Sequence, residues 1–134
     1  MHQEIRVQTQ SQIEFVNITR QVQAAVTASG ISEGTLYLYC VHTSCGLTIQ
    51  ENTDPGVAHD VLMLLKRISP QSDPGYRHNE DNSASHFQTC FMGTHQIVFI
   101  QNGRLVLGRW QGLFLTEFDG PRERTVLWKI QPDR

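Results

Sequence analysis

The 134-residue sequence lacks any run of positive charge and any apolar run long enough to cross a membrane. Its formal net charge is −2, and no cluster of Lys and Arg offers the basic surface that nucleic acids or anionic lipids require. The longest apolar stretches, 61–65 and 113–115, fall far short of the roughly 20 residues that a membrane-spanning helix needs. We therefore expect neither a nucleic-acid partner nor a membrane partner.

Cysteine is scarce, since the chain has only Cys40, Cys45 and Cys90. An odd number without a CxxC pair argues against a disulfide framework and favours free buried thiols, which behave as small hydrophobes. The N-terminus also lacks the charged-then-apolar pattern of a secretory leader. These absences predict a cytoplasmic protein.

What is present is the composition of an ordinary globular domain, 39% hydrophobic and 18% charged. No repeat or low-complexity linker divides the chain, so we predict a single domain over 1–134. From residue 18 onwards apolar residues recur at helical spacing, which predicts a helix that ends at Ser29-Gly30. Thr35 to Val41 is apolar on both faces, which predicts a central strand covered on both sides. Leu47 to Glu51 is expected to be a neighbouring strand after a bend.

Turn and cap residues organise the remainder of the chain. Asp54-Pro55 is typical of a helix start, and Asn102-Gly103 of a two-residue hairpin turn. Ser83 to Met92 is expected to form a short helix that turns Phe87, Cys90 and Phe91 towards the core. In the last third of the chain, successive strand patterns separated by turn residues predict an antiparallel meander. The fold class is therefore α+β, with a mixed, largely antiparallel β-sheet or sandwich and two to three helices.

Histidines mark two candidate sites. His42-Thr43-Ser44 follows the central strand, where imidazole suits a metal or a phosphate and the hydroxyls suit a substrate oxygen; a strand end with turn hydroxyls is the alternative. His78 and His86 lie in the polar run 76–86, which is otherwise explained as a solvated loop. Together, His42, His78 and His86 would match the three protein ligands of a catalytic zinc site. The remaining histidines, His2, His59 and His95, lie outside these clusters and are interpreted as non-ligands.

Three further features carry polar chemistry. Glu51 shares a strand face with apolar residues, and a carboxylate there needs a partner. Trp110 is suited to stacking on a flat heterocycle and Arg109 to pairing with phosphate, although a β-bulge with a packing tryptophan explains them equally well. Arg122, after the Asp119-Gly120-Pro121 turn, is either an anion clamp or ordinary surface charge.

Together these motifs resemble the YjbQ family over roughly residues 34–130. The resemblance rests on His42-Thr-Ser-Cys-Gly-Leu-Thr-Ile-Gln-Glu-Asn-Thr-Asp-Pro, on Tyr76-Arg-His, on Asn102-Gly-Arg-Leu-Val-Leu-Gly-Arg-Trp-Gln-Gly and on Glu117-Phe-Asp-Gly-Pro-Arg. The sequence departs from the family pattern at Cys45, where a small residue such as alanine or serine is usual. It also departs between His78 and His86, where the usual Gly-Asn is missing.

The resemblance implies a small α+β fold, assembled as a homotrimer with sites near subunit contacts. It implies a weak thiamine-phosphate synthase activity, which is a transferase reaction on small phosphorylated molecules, and a divalent metal ion, with zinc among the candidates. The corresponding catalytic positions are His42, Glu51, Asn52, Trp110 and Gln111. Expected substrate-binding residues are Thr43, Ser44, Arg109 and Arg122, and expected metal ligands are His42, His78 and His86. A metal- or metabolite-binding trimer without turnover, and a metal-assisted phosphate-ester hydrolase, are the alternatives.

Overall fold

The computed structural model describes all 134 residues, in eight strands and three helices. The strands are β1 (Gln3–Gln8), β2 (Glu14–Asn17), β3 (Gly34–Cys40), β4 (Cys45–Glu51), β5 (His95–Gln101), β6 (Arg104–Leu105), β7 (Gln111–Glu117) and β8 (Glu123–Pro132). The helices are α1 (Thr19–Ser29), α2 (Pro55–Ile68) and α3 (Ser83–Met92). None of the helices combines the length and the apolar character that crossing a bilayer demands.

The strands form two antiparallel sheets, one in the order β1-β8-β3-β5-β6 and the other in the order β2-β7-β4. Both sheets and α1 contribute to one apolar core. Its members include Val22 and Val26 of α1, Leu36 and Leu38 of β3, and Leu115 of β7. This arrangement confirms a single α+β domain with largely antiparallel sheets.

Local signals for caps and turns are confirmed. The Asp54 side chain accepts a hydrogen bond from the backbone N–H of Gly56 at 2.8 Å, with Pro55 at the first helical position. Helix α1 ends at Gly30, whose φ is +72°. Asn102 and Gly103 have φ values of +52° and +73°, as the tight turn between β5 and β6 requires.

The predicted strand order is wrong in two respects. β4 does not pair with β3, because the bend at residues 41–44 carries the chain from one sheet to the other. The last third is not a meander, since β7 pairs with β2 and β4 whereas β8 inserts between β1 and β3. Alternating hydrophobicity indicates which face of a strand is buried, but it does not name the strand's partner.

The expectation that β3 is covered on both faces is also wrong for this chain. Leu36 and Leu38 face the core, whereas Tyr37 and Tyr39 are 45% and 51% exposed. Across the β3–β5 pairing Tyr37 lies opposite Ile97, which is exposed as well. No helix covers this outer face, so the sheet presents apolar side chains to solvent.

Helix α3 turns its aromatic side outwards, contrary to the prediction. Phe87, Cys90 and Phe91 are exposed. The buried positions of the helix are instead small or polar: Ala84, Ser85, Gln88 and Thr89. The helix end lies close to β4, because a Cβ added to Gly46 would be 2.5 Å from the carbonyl oxygen of Gly93. Small residues permit such an approach and bulky aromatic rings do not.

Candidate functional site

A cleft of about 480 Å³ opens between the 41–44 bend, helix α3 and the start of β5. We call it the histidine cleft. Its lining residues are His42, Thr43, His86, Thr89, Cys90, Gly93, Thr94 and His95. The fold therefore brings together two of the predicted histidines and one predicted hydroxyl from distant parts of the chain.

The ring of His86 is oriented by the backbone of the bend. Its Nδ1 lies 2.8 Å from the carbonyl oxygen of Thr43. A carbonyl oxygen only accepts hydrogen bonds, so Nδ1 carries the proton and the lone pair of a neutral ring is on Nε2. The Nε2 atom has no partner within the protein. Metal-ligating histidines typically show this arrangement, in which one ring nitrogen is fixed by a carbonyl and the other is free.

His42 has the opposite tautomer. Its Nε2 lies 2.9 Å from the backbone nitrogen of Thr125, which can only donate. The neutral ring therefore carries its proton on Nδ1. Burial, followed by the positive charge of Arg124, lowers the pKa of His42 below its ordinary value. His42 is consequently a neutral hydrogen-bond donor near pH 7.

His78 lies beside His86 because the polar loop folds back towards α3. The two ring centres are 5.2 Å apart in an edge-to-face arrangement. The Nε2 atom of His78 is also 3.6 Å from a carboxylate oxygen of Glu80. The expected three-histidine ligand set is nevertheless not preformed in one chain, where no group of three His, Cys, Asp or Glu side chains has metal-binding geometry. The Thr125 amide also occupies Nε2 of His42, so that nitrogen is not free to bind a metal ion.

A buried ion pair lies behind the bend. Glu117 is fully buried, and it accepts hydrogen bonds from Thr9 Oγ1 at 2.7 Å and from Arg124 Nε at 2.8 Å. Burial alone would raise the pKa of Glu117, but the hydrogen bonds from Arg124, Thr9 and the Asp119 amide outweigh it and lower the pKa. Arg124 also donates to the Ser44 hydroxyl at 2.9 Å. Ser44, an expected substrate-binding residue, is therefore buried and fixes the bend.

The remaining predicted residues form a second group, which we call the Trp110 corner: Glu51, Asn52, Arg109, Trp110 and Gln111. The Asn52 amide donates to the Trp110 carbonyl oxygen at 2.9 Å, and Glu51 lies opposite Gln111 across the β4–β7 pairing. The Arg109 guanidinium lies 4.9 Å from the ring centre of Trp110, whose side chain is half exposed. These residues were expected to share one site with His42, and in this structure they lie together at the opposite end of β4.

The Trp110 corner is not part of the histidine cleft. The bend that lines the cleft comes directly before Cys45, the first residue of β4, whereas the corner begins at Glu51, the last residue of β4. Six residue steps along a strand span roughly 20 Å, which no side chain bridges. Glu51 has a local partner, because its carboxylate accepts the Asp54 amide at 3.1 Å. Arg122 is engaged with Asp119, at 3.2 Å, and does not line the cleft.

Comparison with known proteins identifies the fold and its motifs. A family model described as UPF0047 protein YjbQ-like matches residues 3–133. The chain belongs to this family. It is 41% identical to the UPF0047 protein YugU of Bacillus subtilis over 126 residues, which are 94% of this chain and 96% of that protein. A UPF0047 protein of Methanocaldococcus jannaschii is 37% identical over 129 residues, covering 96% of this chain and 93% of the relative.

Solved structures of YjbQ-like proteins have the same fold. A YjbQ/UPF0047 family protein of Clostridium acetobutylicum superimposes with a TM-score of 0.92 at 44% identity, covering 96% of this chain and 98% of the other. A conserved hypothetical protein of Thermus thermophilus gives a TM-score of 0.90, also at 44% identity and with the same coverage. The resemblance stated from the sequence motifs is therefore confirmed at the level of family and fold.

Sequence reasoning missed two features of this YjbQ-like site. His95 lies outside the polar clusters of the sequence, yet it lines the histidine cleft as the first residue of β5. Its neighbours Thr94 and Gln96 are polar, but no charged residue or second histidine lies beside it in the sequence to mark a site. The Glu117–Arg124 pair did leave a signal, because Glu117 follows a run of apolar residues in β7 and a buried carboxylate requires a buried partner.

Proposed function

We propose that this YjbQ-like protein is an enzyme that binds a small phosphorylated molecule in the histidine cleft. The observation that carries the proposal is the complementary state of two imidazoles in one cleft. His42 offers an Nδ1–H donor, and His86 offers the free Nε2 lone pair. The hydroxyls of Thr43 and Thr94 line the same space and add donors for phosphate oxygens.

The proposal includes a divalent cation held by His78 and His86, with zinc as the simplest candidate. Two imidazoles that bind one tetrahedral zinc ion at about 2.1 Å have ring centres roughly 5 Å apart. The separation of 5.2 Å between these rings fits that requirement. The cation would neutralise negative charge on a departing diphosphate. In this scheme His42 is not a ligand but donates a hydrogen bond to the substrate.

The reaction we propose is a transfer of the thiamine-phosphate synthase type. The carbon–oxygen bond between a pyrimidine methyl group and its diphosphate breaks, a carbon–nitrogen bond to a thiazole phosphate forms, and pyrophosphate leaves. His42 Nδ1–H and the threonine hydroxyls would hold the phosphate oxygens. Trp110 would stack on the flat pyrimidine ring, with Arg109 nearby as a cation for phosphate.

This scheme requires a second copy of the chain, because the Trp110 corner is roughly 20 Å from the cleft in the same molecule. The outer sheet surface formed by Tyr37, Tyr39, Ile97 and Phe99, which we call the aromatic face, supports association. This face follows β5 from His95, at the rim of the cleft, to Phe99. The Phe99 carbonyl oxygen accepts a hydrogen bond from the backbone amide of Val106, which lies just before the Trp110 corner in the sequence. We propose a homotrimeric ring in which the cleft of each copy meets the Trp110 corner of the next.

Zinc binding by single variants tests whether His78 and His86 are the metal ligands and whether His42 is not. Isothermal titration with zinc ions should show binding that is lost in His78→Ala and in His86→Ala but is retained in His42→Ala. Inorganic pyrophosphate should bind the His42→Ala protein at least about tenfold more weakly, as loss of one hydrogen bond to a charged group predicts. His59→Ala is the matched control, since His59 is an exposed histidine of α2. Equal zinc binding by all four variants would contradict the ligand assignment.

Mixing variants tests both turnover and the shared site. His86→Ala and Trp110→Ala proteins should each fail to release pyrophosphate from the two thiamine precursors. After the two are unfolded and refolded together, random assembly should restore about a quarter of the sites. No recovery would contradict a site shared between copies. If the unaltered protein binds pyrophosphate without any turnover, it is a binding protein and not an enzyme.

A further inference from the structure

Two sulfur atoms are in contact beneath the bend that carries His42. Cys40 is the last residue of β3 and Cys45 is the first residue of β4. Their Sγ atoms lie 3.3 Å apart, and both side chains are almost completely buried. The contact therefore joins the ends of two strands that belong to different sheets.

Only a short displacement separates this thiol pair from a covalent bond. A disulfide has its sulfur atoms about 2.05 Å apart, so the two Sγ atoms must approach by roughly 1.3 Å. The residues between them, 41–44, form neither helix nor strand, and Val41 and Thr43 are exposed. Rotation of the cysteine side chains with a small adjustment of this bend can provide the displacement.

We propose that Cys40 and Cys45 form a reversible intrachain disulfide when the protein meets a hydroperoxide. One thiolate attacks the terminal oxygen of the hydroperoxide, which gives a sulfenic acid and releases an alcohol or water. The second thiol attacks the sulfenic sulfur, the S–S bond forms, and water leaves. The two thiols together lose two electrons and two protons, and the hydroperoxide is reduced. A thiol reductant reverses the modification by exchange.

Cys90 provides an internal contrast. It is exposed and has no second sulfur within contact, so oxidation there leads to a sulfenic acid or to a bond between molecules. The buried pair has a resolving thiol already in place. The proposed product is therefore specific to Cys40 and Cys45 and independent of protein concentration.

The bond would be formed at the base of the proposed site. The bend contains Thr43, whose carbonyl oxygen orients His86, and Ser44, whose hydroxyl and carbonyl oxygens accept from Arg124. Drawing the two strand ends together shifts these acceptors. The disulfide itself does not depend on the proposed function, because it follows from the sulfur contact alone.

The experiment uses the full-length Cys90→Ser protein, which keeps the thiol pair and removes the exposed thiol. After treatment of the folded protein with hydrogen peroxide, titration in denaturant should find no free thiol, and the intact mass should fall by two hydrogen atoms. Peptide mapping should link Cys40 to Cys45, and dithiothreitol should restore both thiols. The double variant Cys45→Ala/Cys90→Ser should instead accumulate a sulfenic acid on Cys40 that dimedone traps.

Three results would overturn the proposal. Both thiols could remain free after treatment while circular dichroism shows a folded protein. The disulfide could form only in urea, which would mean that the folded contact is not productive. Peroxide could also drive the thiols to sulfinic acids without an intermediate disulfide. If the double variant fails to fold, Cys45→Ser/Cys90→Ser serves as the second control.

Discussion

Replacing Glu117 with glutamine should destabilise the protein strongly. The change removes the negative charge from a fully buried position and leaves the Arg124 guanidinium uncompensated in the interior. The two carboxylate oxygens of Glu117 accept hydrogen bonds from Thr9, from Arg124 and from the backbone amides of Phe118 and Asp119. In the glutamine variant the side-chain NH₂ group would replace one of these oxygens and would face donors instead of acceptors. Breaking one side of a buried ion pair typically costs about 3–5 kcal/mol. Such a loss is a large part of the stability of an ordinary domain.

Urea unfolding followed by tryptophan fluorescence measures the effect, with all proteins at one concentration so that any association is held constant. Glu123→Gln is the matched control. Glu123 lies six residues away on the surface and pairs loosely with Arg6 at 3.7 Å. Loss of an exposed pair should cost less than about 1 kcal/mol. A Glu117→Gln protein no less stable than this control would refute the reasoning.

The pH dependence of stability tests independently whether the charge of Glu117 causes the stability difference. The pKa of Glu117 is lowered in the folded protein, so its carboxylate stabilises the fold above the ordinary pKa of about 4.3. That contribution is lost as the pH falls through the lowered folded-state pKa. Glutamine does not titrate, so the stability gap between the two proteins should narrow steadily below about pH 4. A gap that is constant or widens in acid would show that charge is not the cause.

Further predictions concern local features. Asp54→Ala should destabilise the protein by about 1 kcal/mol in urea unfolding, because it removes the cap of α2, whereas Asp60→Ala on the exposed side of that helix should have little effect. Gly103→Ala should cost about 1–2 kcal/mol in the same assay, since φ is +73° there, and an unchanged midpoint would contradict the turn assignment. His42 should titrate in NMR below the ordinary histidine pKa of about 6.5, because burial lowers its pKa. Its contribution to stability is therefore present above about pH 6.5 and is lost as the pH falls.

Features of this fold that depend on neighbouring residues could be predicted from the sequence, whereas features that depend on distant residues could not. The Asp54-Pro55 cap and the Asn102-Gly103 turn were predicted correctly because the responsible groups are neighbours in the chain. His78 and His86 were predicted as ligands of one metal ion, and their rings do meet because the polar loop folds back, which the residue types alone do not specify. Strand partners were predicted incorrectly, since the β4–β7 pairing depends on residues sixty or more positions apart.

The candidate site shows the same limit. Residue types identified His42 and His86 as members of one site, but they did not reveal that the Thr125 amide occupies one nitrogen of His42. The family resemblance also grouped Glu51 with His42 as catalytic positions, although an extended strand separates them by roughly 20 Å. Aromatic residues at helical spacing in α3 were expected in the core, and Phe91 is instead 63% exposed. Hydrophobicity alone does not distinguish an intramolecular core from a surface that a second copy could cover.

The strand edges of both sheets are protected against further pairing. The free edge of β4 is occupied where Leu47 donates to the Gly93 carbonyl oxygen and accepts from the Gln96 side chain. The other edges are short or charged: β6 has two residues, β2 has four, and β1 carries Glu4 and Arg6. Such edges resist the open-ended strand addition that produces fibres. A chain whose strand edges are blocked in this way is thereby protected against amyloid-like aggregation, even though its aromatic face is exposed.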